Sequence, residues 1–203
     1  MQADAARTVY VVDDDPAMRH SLGWLIGSLG VAVESFGSGE EFLRAMRADR
    51  PGCLVTDVRM PGMSGLELQD TLARAGSVLA VVVITGHGDV PMAARAFRAG
   101  AVDVIEKPFN DQLLLDRVHE ALEKSRRAWE AQARKGHVRA LLGRLTPRER
   151  QVADLVVQGK PNKVIAAEIN LSLKTVEVHR HNVMDKLEVA SVSDLTRLLI
   201  EAE

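Results

Sequence analysis

Hydrophobic and polar positions follow two different patterns along the 203-residue chain. Before about residue 124, apolar runs of strand length alternate with stretches of helix length, and Gly and Pro stand at the joints. The apolar runs are TVYVV (8–12), VAVESF (31–36), CLVTD (53–57), AVVVIT (80–85) and VDVI (102–105). Helices are predicted near 16–29, 39–48, 65–74, 89–98 and 110–123. This alternation predicts an α/β domain: a five-stranded, doubly wound parallel sheet with helices on both faces.

The pattern changes after residue 124. Residues 125–144 are rich in Ala, Arg and Lys, and they predict a helical linker that continues the fifth helix, with Gly136 as a candidate break. From Leu145 onward every segment has helical character, with turns at 159–162, 170–172 and 188–191. The sequence therefore predicts three parts: a first domain over 1–124, a linker over 125–144, and a small all-α domain of four helices over 145–203.

Composition limits the compartment and the partners that the protein can have. The single cysteine, Cys53, excludes an internal disulfide, and no zinc-type spacing exists. No apolar run reaches the roughly 18 residues of a membrane span, and the first residues lack a secretory pattern. We therefore expect a cytoplasmic protein without a membrane partner. Residues 1–124 hold 12 basic and 18 acidic side chains, whereas residues 125–203 hold 14 basic and 10 acidic ones. The basic second part permits nucleic-acid binding without proving it.

Polar side chains stand where predicted strands end. Asp13 and Asp14 follow the first strand, Asp57 ends the third, Thr85 ends the fourth, and Lys107 follows the fifth. In a doubly wound sheet these positions share the carboxyl edge, where open α/β folds bind ligands. Crowded carboxylates favour a hard divalent cation, Mg²⁺ (or Mn²⁺). Asp57 would then be the nucleophile toward a phosphoryl group whose oxygens contact Lys107 and Thr85.

Other interpretations of these residues stay open at this point. A lone Asp after a strand is usually a helix N-cap, and Asp15 before Pro16 fits that role. An alternative function is a Mg²⁺-dependent phosphohydrolase with an aspartyl-phosphate intermediate. It would need a general acid beside the nucleophile, and Val58 and Arg59 provide none. A third alternative, an interaction module with a decayed pocket, conflicts with the complete set of site residues.

Capping signals mark the helices of the second part. Thr146 and Glu149 form a capping box around Pro147 at the first helical position. The segment NKVIAAEI predicts a short helix capped by Asn162, and Ser172 is the predicted N-cap of the following helix. Two short helices joined by a tight turn are typical of a helix-turn-helix.

The second of these helices has one inward and one outward face. Helical spacing places four residues inside: Val176, His179, Val183 and Leu187. We expect His179 to be a core residue with a local hydrogen bond, because residues two apart on a helix, such as His179 and His181, do not face each other. The polar N-terminal half fits DNA reading. A small helical protein-binding domain with a solvated face is the alternative.

The first part resembles the response-regulator receiver domains, most closely the FixJ-type subgroup. The resemblance covers residues 7–124 through VVDDDPAMR, VTDVRMPGMSGLEL, VVVITGHGDVPMA and AVDVIEKPF. It implies a flavodoxin-like fold in which a sensor histidine kinase phosphorylates Asp57. It further implies metal ligation by Asp13, Asp14 and Asp57 together with the backbone carbonyl of Arg59.

The same resemblance assigns the switch residues. Thr85 and Lys107 take the switch and phosphate-contact roles, and the Lys107–Pro108 peptide is expected to be cis. Receivers usually carry Phe or Tyr three residues before the lysine, where this chain has Val104. A valine has little surface to turn inward, so we expect residues 86–99 to carry most of the conformational change.

The second part resembles the LuxR/FixJ-type DNA-binding domains over residues 145–201. The resemblance implies that Glu177, Val178 and His181 face base edges. It implies phosphate contacts for Lys163, Lys174, Thr175 and Arg180. Together the two resemblances imply a phosphorylation-activated transcription regulator with four partners: a cognate sensor histidine kinase, promoter DNA, RNA polymerase and a second copy of the chain.

The expected dimer surface lies on residues 89–99, 102–106 and 110–122, because Thr85 and Lys107 lie next to these segments in the chain. Val90, Met92 and Val104 would supply apolar area, with Arg95 and Asp111 as charges across the interface. We expect the final helix, about 191–201, to pair the DNA-binding domains.

Overall fold

The computed structural model describes residues 8–46 and 50–201, and the chain divides between Glu130 and Ala131 into two compact units. The elements of the first unit are β1 (Thr8–Val12), α1 (Pro16–Gly27), β2 (Ala32–Phe36), α2 (Gly39–Ala45), β3 (Gly52–Asp57), α3 (Gly65–Arg74), β4 (Ala80–Thr85), α4 (Val90–Arg98) and β5 (Asp103–Glu106). The helix α5 (Asp111–Leu142) begins in this unit. The last two residues of the predicted helix 39–48 lie outside the described residues.

The five strands form one parallel sheet in the order β2-β1-β3-β4-β5. The predicted α/β fold is therefore confirmed. In the register, Val12 pairs with Thr56, Asp57 with Ile84, and Thr85 with Glu106. This register brings the carboxyl ends of β1, β3, β4 and β5 to one edge of the sheet, as the sequence predicts.

The period of two along the strands builds two hydrophobic cores. Val9 and Val11 point to one face, where they pack with residues of α1 and α5. Tyr10 and Val12 point to the other face, where they pack with residues of α2, α3 and α4. The central strands β3 and β4 are buried along their whole length. Because both faces are covered, these strands have continuous apolar runs rather than alternating ones.

The helix α5 is continuous from Asp111 to Leu142, so the candidate break at Gly136 is wrong. Glycine inside a helix costs about 1 kcal/mol, which the neighbouring Ala, Lys and Arg residues offset. The sequence assigns Ser125 to the linker, but its buried hydroxyl accepts from Gly52 N over 2.9 Å and donates to Val78 O over 2.6 Å. This residue therefore belongs to the packing of the first unit, and the domain boundaries at 124 and 144 stay predictions.

The described part of the second unit contains α6 (Pro147–Val157), α7 (Asn162–Glu168), α8 (Leu173–Lys186) and α9 (Val192–Glu201). The predicted four-helix domain is therefore confirmed. Its core joins residues of all four helices with Leu141 of α5. Across the described ranges, we find no helix with both the length and the low charge content that a membrane crossing requires.

Capping largely follows the sequence in this unit. The capping box of Thr146 and Glu149 is present, and the Ser172 side chain accepts from Thr175 N. The predicted Asn162 cap is wrong, because Pro161 occupies the N-cap position and makes no side-chain cap hydrogen bond. Asn162 is the first helical residue, and its side chain has a different partner.

Candidate functional sites

The carboxyl edge of the sheet brings Asp13, Asp57 and Lys107 together. Lys107 Nζ lies 2.7 Å from Asp57 Oδ1 and 3.1 Å from Asp13 Oδ2, although the two carboxylates are 44 residues apart in the chain. Asp13 and Asp57 are buried, whereas Asp14 is exposed. The structure thus gathers three of the predicted site residues into one ion-paired group.

Electrostatics of this group favour a further cation. Burial lowers the pKa of Lys107, but hydrogen bonds to Asp57 and Asp13 outweigh burial and raise it above its usual value. Two buried carboxylates facing one ammonium group leave a net negative charge. Mg²⁺ often uses one or two carboxylates and keeps several waters, so the Asp13–Asp57 pair fits it. Among the described residues no three His, Cys, Asp or Glu side chains are gathered as a metal site, so ligation by Asp14 stays a prediction.

The loop after β3 orients Asp57. The Arg59 backbone N–H donates to Asp57 Oδ2 over 2.8 Å, while the Arg59 residue is exposed. Gly65 N donates to Val58 O, which closes the loop. A Cβ on Gly65 would lie 2.1 Å from Asp57 O, so no other residue fits this close approach. The sequence marks Gly65 only as a joint, because its contact with Asp57 depends on how the loop folds back.

The loop after β1 orients Asp13 in a similar way. The Asp15 backbone N–H donates to Asp13 Oδ1 over 2.9 Å, and Arg19 Nη1 donates to Asp13 O over 2.7 Å. Asp15 also caps α1 by accepting from Ala17 N, as the sequence predicts. The role of Arg19 has no signal in the sequence, because it depends on the first turn of α1 lying beside the strand end.

Thr85 is buried at the end of β4, but its hydroxyl faces its own loop. Thr85 Oγ1 donates to His87 O over 3.1 Å and accepts from His87 N over 3.3 Å. Val104 is half-buried and packs with Met92 against the core beside α4. The Lys107–Pro108 peptide is cis, which confirms that prediction.

The helix-turn-helix of α7 and α8 presents most predicted DNA-contact residues to solvent. The exposed ones are Lys163, Lys174, Glu177, Val178 and His181, and the half-buried ones are Thr175 and Arg180. Val176, Val183 and Leu187 are buried, which confirms the predicted inward face. The described residues include no hydrogen-bond partner for the buried His179 Nδ1, so the expected local bond is not found.

Two side chains of this surface connect α7 and α8. Arg180 Nη1 donates to Asn162 Oδ1 over 2.6 Å, so part of its guanidinium group is engaged within the domain.

Val164 and Leu173 are exposed large apolar side chains on the same helix pair, and the sequence did not mark either of them. Their exposure depends on the tertiary packing, since apolar residues in short helices are usually assigned to the core.

Both units match known families. Residues 9–119 match the response regulator receiver domain, and residues 143–199 match the bacterial regulatory proteins of the luxR family. The chain therefore belongs to the response regulators that join a receiver domain to a LuxR-type DNA-binding domain.

Relatives match nearly the whole chain. Nodulation protein W of Bradyrhizobium diazoefficiens is 45% identical over 97% of this chain and 87% of its own length. Transcriptional regulatory protein FixJ of Rhizobium meliloti is 45% identical over 95% of both chains. These findings identify a two-component transcription regulator activated by phosphorylation.

Solved structures show the same architecture. The response regulator StyR is 43% identical, with a TM-score of 0.90 over 97% of this chain and 100% of its own. Full-length FixJ from B. japonicum is 42% identical, with a TM-score of 0.57 over 96% of both chains.

Proposed function

We propose that Asp57 accepts a phosphoryl group from a histidine of a cognate sensor kinase, and that this modification controls DNA binding. The observation that carries the proposal is the contact of Lys107 Nζ with both Asp57 and Asp13. A lysine ammonium that neutralises a carboxylate also suits a phosphoryl oxygen attached to it. As a DNA-binding regulator, the protein would work in the cytoplasm.

Each residue of the site has its own role in the phosphoryl transfer. A carboxylate oxygen of Asp57 forms the new P–O bond, while the P–N bond to the donor imidazole breaks and the imidazole leaves. The Arg59 N–H holds the other Asp57 oxygen. Lys107 contacts a phosphoryl oxygen, and Thr85 contacts another after it releases His87.

A metal ion completes this arrangement in our proposal. Asp13, Asp14 and Asp57, with the backbone carbonyl of Arg59, would hold Mg²⁺ (or Mn²⁺). The ion would shield the negative charges of the carboxylates and the phosphoryl group from one another.

Incubation with acetyl phosphate and Mg²⁺, followed by intact-mass measurement, tests the phosphorylation. We expect a stable gain of one phosphate, and no gain in Asp57→Asn, because the amide is not a nucleophile. Removal of one of several crowded charges should leave the fold intact, which circular dichroism checks. Asp70→Asn removes a half-buried carboxylate of α3 that pairs with Arg95 away from the phosphorylation site, and it serves as the matched control.

Other results of this experiment separate the alternatives. Rapid turnover of acetyl phosphate without accumulated modification would indicate a phosphohydrolase. Absence of any modification under saturating conditions would indicate an interaction module. Modification of Asp57→Asn at the normal rate would show that the phosphoacceptor is a different residue.

The second unit would read DNA through α8. Glu177, Val178 and His181 would contact base edges, since the N-terminal half of a recognition helix faces the bases. The residues that would contact phosphates are Lys163, Lys174, Thr175 and Arg180. A single helix-turn-helix covers little DNA, so we propose that phosphorylation produces a dimer that binds two half-sites of a promoter and contacts RNA polymerase.

An exposed apolar stripe on α4 supports such a dimer. Val90 is 83% exposed and Phe97 is 49% exposed, and Ala94 lies between them at helical spacing on the same face. Large apolar side chains exposed together mark interaction surfaces. The stripe starts directly after the loop that leads from Thr85, so changes at the phosphorylation site can reach it.

A further inference from the structure

The β4–α4 loop, residues 86–89, opposes an inward turn of Thr85. The hydroxyl of Thr85 donates to His87 O and accepts from His87 N, so both contacts lie within its own loop. A hydroxyl has one proton to donate. Contact with a phosphoryl oxygen on Asp57 therefore requires Thr85 to release His87 O, and the loop must allow this change.

Glu106 ties this loop to the neighbouring strand. Its backbone is the register partner of Thr85 between β4 and β5, and its exposed carboxylate accepts from the Gly88 N–H over 3.3 Å. A Cβ on Gly88 would lie 3.5 Å from Thr85 Cγ2 and 3.8 Å from Glu106 Cδ. The loop, the threonine and the carboxylate thus form one contact group.

The position of Glu106 links this group to the phosphorylation site. The next residue is Lys107, whose side chain binds Asp57 and whose backbone N–H donates to Thr85 O over 2.7 Å. Glu106 therefore lies beside both residues that would contact the phosphoryl group. Its side chain points to the loop that must rearrange, and α4 begins directly after that loop.

We propose that Glu106 is a positioning residue that holds the β4–α4 loop in its unphosphorylated arrangement through Gly88. The inference rests on the proposed roles of Asp57 and Thr85. Loss of the hydrogen bond eases the turn of Thr85 and favours the arrangement that contacts a phosphoryl group. One exposed hydrogen bond of this kind shifts a two-state equilibrium by about twofold to tenfold.

Titration of the full chain with beryllofluoride and Mg²⁺ tests the proposal, with the bound species quantified by fluorine NMR. In Glu106→Ala the half-saturating concentration falls by about twofold to tenfold. In Glu106→Gln it stays at the value of the original chain, because the carboxamide oxygen still accepts from Gly88. Glu34→Ala removes an exposed glutamate from the edge strand β2 and serves as the charge-matched control, with no change.

Each remaining outcome overturns a defined part of this reasoning. Equal shifts in Glu106→Ala and Glu106→Gln show that charge, rather than the hydrogen bond, is responsible, and they overturn the proposal. An unchanged or weaker response in Glu106→Ala overturns it as well. Asp57→Asn distinguishes failure of the proposed function from failure of the proposed role of Glu106. Beryllofluoride binding in that variant contradicts the proposed function itself. Loss of binding there, with no effect of Glu106→Ala, contradicts only the role of Glu106.

Discussion

At the scale of single residues, Glu149 shows how one buried carboxylate joins two helices of the DNA-binding unit. It completes the capping box with Thr146 at the start of α6 and accepts from Lys186 Nζ of α8 over 2.7 Å. Burial raises the pKa of Glu149, but the hydrogen bonds from Lys186 and Thr146 outweigh burial and lower it to about 2. The ionised form is therefore the one that the folded unit stabilises.

This shift predicts an acid-sensitive contribution to the stability of the second unit. A lowered pKa in the folded state stabilises the protein above pH 4.5, and this contribution is lost as the pH falls from 4.5 toward about 2. At pH 7, Glu149→Gln should destabilise α6 and α8 by about 1–3 kcal/mol. Hydrogen exchange of both helices at several pH values measures the difference, which should shrink below pH 4.5. A difference that is equal at pH 3 and pH 7 would contradict the assignment.

Substitutions of Lys174 and Glu177 distinguish a phosphate contact from a base contact. Replacement of Lys174 by Ala should weaken binding to all sequences and reduce the salt slope by about one unit. Replacement of Glu177 by Ala should change preference at one base position by about 1–3 kcal/mol. Binding measured over a range of salt and of sequence variants distinguishes the two.

Arg180 makes a less direct test of the phosphate contact. Because its guanidinium group also holds Asn162, its replacement would disturb the packing of α7 as well as any phosphate contact.

A uniform loss of affinity in Glu177→Ala across all DNA sequences would contradict the base-reading role.

At the scale of elements, α4 carries the apolar stripe and begins directly after the loop that leads from Thr85. Side-chain hydrogen bonds connect it to α3: Gln69 Nε2 donates to Ala96 O over 3.0 Å, and Arg95 pairs with Asp70 over 2.7 Å. Arg95 therefore has a partner within its own chain in this arrangement, whereas the sequence suggested a charge across the dimer. The buried Gln69 Oε1 lacks a partner among the described residues, and such a group costs about 1–3 kcal/mol.

The stripe on α4 predicts the dimer surface. We expect Phe97→Glu to abolish dimer formation with beryllofluoride, because a charge replaces a large apolar side chain of the stripe. Phosphorylation by acetyl phosphate should continue, since Phe97 lies outside the pocket. Trp24→Glu places the same charge on an exposed aromatic of α1 and should leave the dimer intact. Light scattering measures the mass, and a persistent dimer in Phe97→Glu would falsify this surface.

Prediction from the sequence succeeded where local periodicity carries the information. The strand positions, the carboxyl edge of the sheet and the capping box of Thr146 and Glu149 follow from alternation and helix-start signals. It failed at Asn162, whose side chain bonds to Arg180 instead of capping its own helix. A cap and an interhelical partner use the same amide group, and only the packing of α7 against α8 decides between them.

At the scale of the whole molecule, phosphorylation on one unit has to change DNA binding by the other. A dimer formed through the receivers raises the local concentration of the second DNA-binding unit, so affinity can rise more than tenfold without a new base contact. We expect this gain on DNA with two half-sites about one helical turn apart. On a single half-site, phosphorylation should change affinity little.

DNA with one half-site and DNA with two half-sites are obtained by site selection. The affinity of the phosphorylated and of the unphosphorylated chain for both DNA types then measures this coupling. Phe97→Glu serves as the control, since it should be phosphorylated without the gain in affinity. An equal gain on one and two half-sites would show that phosphorylation acts within a single chain instead.

The sequence by itself determined the two-part organisation and the positions of the candidate chemistry. Strand and helix periods are local, and a parallel sheet necessarily brings its strand ends to one edge. Tertiary structure alone decided which groups touch: Lys107 with Asp13 and Asp57, Gly65 with the backbone of Asp57, and Glu106 with Gly88. These contacts join residues that are distant in the chain or lie in loops. Their geometry depends on how the folded chain packs, which periodicity does not encode.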